Sequence, residues 1–216
     1  VNNSAKNDIK STFREYVEAI IIAVILALCI RTFVVQAFKI PSGSMEPTLL
    51  VGDHILVNKF TYGIKIPFFD YTIFEINNPQ PNDVIVFKYP NDPKIDYIKR
   101  VIAVEGDTVE IINKKILVNG EALLNEHGVY TDPDIHPRSQ DRRDNMEPIT
   151  VPKGKLFVMG DNRDHSYDSR FWNFVDLDAV RGKAFLIYWS WDVRYPLLSV
   201  DRFASIKLGR VANSIN

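Results

Sequence analysis

The chain has little of what usually announces a metal centre or a disulfide framework. Its 216 residues include one cysteine, Cys29, so no intrachain disulfide and no cysteine-based metal site can form. The four histidines (His54, His127, His136 and His165) are scattered, and none stands in the H-E-x-x-H spacing of a zinc helix. Formal charge is nearly balanced at -1, and no lysine/arginine stripe marks a nucleic-acid surface. A G-x-S-x-G nucleophile elbow and an S-x-x-K motif are also missing, which removes the α/β-hydrolase and penicillin-binding classes. There are no internal repeats. The expectation is chemistry with no metal and no cofactor, and a protein with no nucleic-acid partner.

What is present begins with a polar leader, residues 1–15, in which Lys6, Lys10 and Arg14 outnumber Asp8 and Glu15. An uninterrupted apolar run comes next over residues 19–30, with Glu18 before it and Arg31 after it, and apolar character resumes at residues 33–35. The run alone is shorter than the ~20 residues a bilayer span needs; residues 16–37 together reach that length. Apolar character on all faces argues against a soluble buried helix. Two readings stay open: a cleavable signal sequence ending at Val35-Gln36-Ala37, and an uncleaved anchor, which the acids in the leader favour. The basic excess before the run keeps the N-terminus in the cytoplasm. The domains expected are therefore a cytoplasmic segment 1–15, a transmembrane anchor 16–37 and an extracytoplasmic domain 38–216.

Beyond residue 51 the texture changes to short runs rich in Val, Ile, Phe and Tyr. They lie near residues 54–57, 84–87, 97–104, 108–112, 115–118, 156–159 and 184–189, separated by turn signals. Asn119-Gly120 reads as a tight hairpin turn. This predicts a mainly β, largely antiparallel domain with one short helix around residues 176–181. Residues 125–150 are crowded with charge and proline and read as an inserted, solvated loop. The aromatic group Tyr188, Trp189 and Trp191, with Phe68, Phe69, Tyr71 and Phe74, suits either a lipid interface or core packing.

Three polar segments carry chemistry. In Pro41-Ser42-Gly43-Ser44-Met45-Glu46-Pro47-Thr48, Gly43 lets the backbone bend and the prolines stiffen both ends, so Ser44 can present its hydroxyl beside backbone N–H groups. Alone, the segment reads first as an ordinary Ser/Gly/Pro turn. In the second, Tyr97-Ile98-Lys99-Arg100-Val101, Lys99 sits in an apolar strand-like run. Burial there would lower its pKa and leave an amine able to take a proton from a serine. A surface lysine on an edge strand is the alternative. The third runs from Gly160 to Arg170 after an apolar strand, and its short polar groups can form a hydrogen-bonded scaffold or a solvated turn.

In this order, after an N-terminal apolar segment, these stretches resemble the boxes of type I signal peptidases, the S26 peptidase family. The resemblance covers roughly residues 17–107 and 151–200. It implies a β-rich domain resting on a membrane, with Ser44 as nucleophile and Lys99 as general base. Ser42 and Ser44 would form the oxyanion hole, and Ser166 would orient the lysine. Asp168 and Arg170 would be a structural ion pair. Phe38, Ile40, Pro41, Tyr97 and Ile98 would line shallow pockets for small substrate side chains. The implied partners are signal-peptide-bearing preproteins and membrane lipid, at the bacterial cytoplasmic membrane with a single pass. His165 stands where many bacterial members carry Asn, and is expected to be a loop hydrogen-bonding group or a solvent-exposed ring. A self-cleaving repressor, the nearest Ser/Lys rival, would bring a DNA-binding module that this chain lacks.

Overall fold

The computed structural model describes residues 2–65, 72–74, 76–124, 127–196 and 198–215. Leader and apolar run form one helix, α1 (Asn2–Cys29), which widens into a π-turn at Ile30–Val34. Over residues 14–28, where the side chains are described, every residue of this helix is exposed, and Ile20, Ile21, Ile22, Val24, Ile25, Leu26 and Leu28 are all more than half exposed. Among the described residues, no helix is long and apolar enough to cross a membrane. The reason lies in where α1 stops. Arg14, Glu15 and Glu18 precede its apolar part, leaving residues 19–29, about 16 Å of helix against a hydrocarbon core of ~30 Å. Of the residues 16–37 expected to span, 16–29 lie in α1, 30–34 in the π-turn and 35–37 in a strand. Val35, Gln36 and Ala37 belong to β1 (Val35–Lys39), which pairs antiparallel with β2 (Asp53–Asn58).

The remaining elements, in chain order, are β3 (Ile64–Lys65), β4 (Thr72–Phe74), β5 (Val84–Tyr89), β6 (Asp92–Ala103), β7 (Thr108–Ile112), β8 (Lys115–Val118) and β9 (Glu121–Ala122). Then come β10 (Met146–Thr150), β11 (Lys155–Met159), α2 (Ser169–Trp172), β12 (Val175–Asp176), β13 (Val180–Ser190), α3 (Val200–Ala204) and β14 (Asn213–Ser214). The main sheet runs β1-β2-β13-β5-β6-β11-β12, with β14 on β13, and a second runs β10-β7-β8-β9. Every pairing between these strands is antiparallel. The β-rich expectation holds. Asn119 and Gly120, at φ 55° and 81°, make the β8–β9 hairpin turn that the Asn-Gly pair predicts.

Three local expectations need correction. The helix foreseen at 176–181 is a single 3₁₀ turn, Leu177–Ala179, between β12 and β13; the short α-helices are α2 and α3. Residues 146–150 of the foreseen loop are β10, because Met146 reaches the core while Glu147 faces out. The rest of that loop, over its described residues 127–145, is exposed at most of residues 130–140 as expected, but it is also fastened to the fold, which the reading as a merely solvated loop left out. Asp164 accepts hydrogen bonds from the Thr131 and Asp132 N–H groups and from Lys114 Nζ. Arg143 bridges Asp132 and Asp144 at 2.8 Å each. Phe68, Phe69 and Tyr71 lie outside the described residues, as does the side chain of Phe74.

Alternation along the central strands sets two of the three apolar clusters on opposite faces. Val84 and Val86 of β5 and Ile98 of β6 face a cluster with Ile40, Met45, Leu49, Ile55 and Phe38. Ile85 and Phe87 of β5 and Tyr97 and Val101 of β6 face another, with Tyr89, Val158 and Trp172.

Candidate active site

Ser44 stands in a one-turn 3₁₀ helix, Gly43–Met45, directly after β1. Apolar side chains pin this turn to the core: Met45 and Leu49 are both fully buried. The Gly52 N–H donates to Ile40 O and the Ile40 N–H to Asp53 O, which closes the loop at its base. Ser42 precedes the turn with extended backbone, its hydroxyl making no capping bond.

Lys99 lies midway along β6, opposite Ile85, and is 4% exposed. Its Nζ is 2.6 Å from Ser44 Oγ. Burial lowers its pKa from 10.5 to about 8; the Asp168 and Asp161 carboxylates oppose this and the Arg170 charge adds to it. An ammonium so placed loses hydration that neighbouring charges do not fully restore, so the neutral amine becomes accessible near neutrality.

The segment after β11 holds the serine turn from behind. The Asn162 N–H donates to Ser44 O at 3.1 Å and its Nδ2 to Gly43 O at 3.2 Å. Asp161 takes both prongs of Arg100, at 2.8 Å each, and the Thr48 hydroxyl at 2.6 Å. Asp168 and Arg170 form a buried ion pair at 2.8 Å. Burial alone would raise the Asp168 pKa, but the Arg170 charge and its hydrogen bonds hold it below the usual carboxylate value. Arg170 in turn donates to the carbonyls of Arg143 and Arg163, tying the inserted loop to the site.

The sequence-derived residues do not all meet. The hydrogen bond of Lys99 goes to Ser44 rather than to Ser166, whose buried hydroxyl lies against the Asp168 carboxylate. Packing against Gly160 holds it there: a Cβ on that glycine would stand 2.3 Å from Ser166 Oγ. Of the five pocket residues, Phe38, Ile40 and Ile98 share one cluster, with Pro41 exposed beside them. Tyr97 is on the opposite face of β6, with Lys99. His165 is exposed. A cleft of about 350 Å³ lined by Glu110, Ile112, Pro137, Arg138 and Glu147 opens on the second sheet, lined by none of the residues of the Ser44–Lys99 site. Among the described residues, no group of three or more His, Cys, Asp or Glu side chains has the arrangement to hold a metal ion.

Sequence reasoning passed over Arg100, Asp161, Asn162 and Thr48. One signal was there: a second cation beside Lys99 in a buried strand demands a carboxylate, and Asp161 ends the next apolar strand.

The family described as "Signal peptidase, peptidase S26" matches residues 13–189. A "Signal peptidase I" of Pseudomonas aeruginosa is 41% identical over 206 residues, covering 82% of this chain and 72% of that protein. Its counterpart in Pseudomonas fluorescens is 37% identical over 207 residues, with the same coverage. One from Aquifex aeolicus is 36% identical, covering 82% of this chain and 84% of that protein. The match runs from the leader to the end of β13, through both the serine turn and the loop that clamps it, and so the chain belongs to the S26 signal peptidases, a family of serine peptidases.

Proposed function

We propose that the chain cuts signal peptides from exported preproteins with a Ser44–Lys99 pair, after small residues of the Ala-x-Ala type. The observation that carries this is the 2.6 Å contact between a buried amine and the hydroxyl of a rigid turn. Neutral Lys99 takes the Ser44 proton as Oγ attacks the carbonyl carbon. The resulting oxyanion receives hydrogen bonds from the Ser44 N–H and the Ser42 hydroxyl, an interaction typically contributing about 2.7–4 kcal/mol per donor. As the C–N bond breaks, the Lys99 ammonium protonates the leaving amine. Water then attacks the acyl-enzyme, giving its proton to Lys99, and Ser44 departs reprotonated.

Two strand edges favour an extended substrate. β1 pairs on one side only, and residues 92–98 of β6 pair with β5 alone. A peptide adding between them would set alternate side chains toward Phe38, Ile40 and Ile98. Attachment to the bacterial cytoplasmic membrane, N-terminus inside, is supported by the exposed apolar flank of α1 and its basic leader. Crossing would require residues 30–34 to continue the helix in lipid. Trp189, Trp191, Phe203 and Tyr188 form an edge-on aromatic group with His54 that suits an interface. The test is to assay Ser44→Ala and Lys99→Ala separately on a preprotein in detergent. Both should be inactive while folded; substantial cleavage by either defeats the proposal.

A further inference from the structure

The proposed reaction runs between Ser44, Lys99 and the oxyanion donors, and it leaves the segment after β13 unused. That segment passes through α3 and a 3₁₀ turn, Leu208–Arg210, then lies back along β13 as β14. The Lys207 N–H donates to Ser190 O at 2.9 Å, the Ala212 N–H to Ile187 O at 2.8 Å and the Ile215 N–H to Phe185 O at 3.0 Å. From this fixed path two side chains reach the loop that carries Ser44.

The first is Arg210. Its guanidinium donates to Thr48 O at 2.8 Å and to the Asp53 carboxylate at 2.6 Å. Thr48 lies just beyond the serine turn and Asp53 opens β2, so one cation grips both ends of the loop that joins the turn to the sheet. Asp53 is fully buried and also accepts from the Leu50 N–H and the Ser190 hydroxyl. A carboxylate so placed needs its cation. The second is Ile215, 4% exposed, which packs in the same cluster as Met45 and Leu49, the side chains that pin the turn. Asn162 holds the turn at Ser44 O, and Arg210 holds its exit at Thr48 O. We propose that residues 207–215 form a strap that positions Ser44 for attack, with Arg210 as the positioning residue and Ile215 as the apolar anchor. The strap rests on the reading of Ser44 as the nucleophile.

The test measures preprotein cleavage by the full chain in detergent, with thermal unfolding on the same preparations. Arg210→Met should lower kcat by roughly 10- to 100-fold and leave KM nearly unchanged, because the turn loosens while the substrate's strand edges stay in place. Arg210→Lys keeps a charge beside Asp53 but has no planar fork to serve Thr48 O as well; it should stay folded and lose about 3- to 10-fold in kcat. Where Arg210→Met does not fold, Arg210→Lys decides alone. The control is Ile116→Ala, which opens a cavity in the buried cluster of the second sheet and should lower Tm with kcat unchanged. A wild-type kcat in either folded Arg210 variant overturns the strap, as does a loss of kcat in Ile116→Ala equal to that of the Arg210 variants. Ser44→Ala run alongside separates the two failures: cleavage by that variant sinks the nucleophile reading, whereas an inactive Ser44→Ala beside fully active Arg210 variants sinks the strap alone.

Discussion

Gly160→Ala should disable the site while leaving the fold standing. Gly160 needs no left-handed backbone, so the substitution acts by contact alone. A Cβ there would lie 2.4 Å from Ser44 O, 2.3 Å from Ser166 Oγ and 2.7 Å from Ser166 Cβ. Relief to an ordinary contact needs a movement of about 1 Å. Ser166 can rotate away in part. Ser44 O is backbone, pinned by the Asn162 N–H, so the remainder of the shift goes into the serine turn and stretches the 2.6 Å contact to Lys99. Misplacing a reacting group by ~1 Å costs on the order of 100-fold in rate, and overpacking costs about 1–3 kcal/mol of stability. Preprotein cleavage at saturating substrate and thermal unfolding, measured on the same preparation, read the two effects separately. A folded Gly160→Ala protein with kcat within about twofold of wild type would refute the coupling between this glycine and the dyad.

Lys99→Met should raise stability at pH 7, because burying the ammonium opposes folding. Since the folded pKa of about 8 lies below the free value of 10.5, the unfolded chain holds more protons between those limits. Wild-type stability then climbs with pH across that window, and the advantage of Lys99→Met in urea unfolding should shrink; a constant advantage would contradict the burial. Arg100→Met strands the Asp161 carboxylate and should cost about 3–5 kcal/mol by the same method, with a negligible loss counting against the clamp. His165→Ala, altering an exposed ring, should leave kcat and its pH dependence unchanged; loss of the profile's acid limb would bring histidine back into the mechanism.

Strands with strict alternation, such as β2 and β7, were legible because one buried face repeats every second residue, and β5, buried on both faces, as a short run of Val, Ile and Phe. β1 was not, since Val35 to Ala37 continue an apolar run and only pairing with β2 makes them a strand. The helix near 176 failed for the opposite reason: helix-compatible residues are overridden by β12 and β13 on either side. At the site, Ser44 on a stiff turn and Lys99 in an apolar strand were candidates that local chemistry left open against an ordinary turn and a surface lysine, and the resemblance of the three segments together singled them out. The clamp was not legible, because Thr48 and Asp161 lie 113 positions apart in sequence and Arg100 and Asp161 lie 61 apart. Nor was the separation of Tyr97 from Ile98, which comes from strand alternation but matters only once each face has its own core.

The most direct measurement is kcat/KM for a preprotein across pH, which reports the free enzyme's essential base. If the reacting base is Lys99, the rate rises with pH through an apparent pKa near 8, as the amine sheds its proton. A limb near the ordinary histidine value of ~6.5, or no limb at all, would show that some other group takes the Ser44 proton.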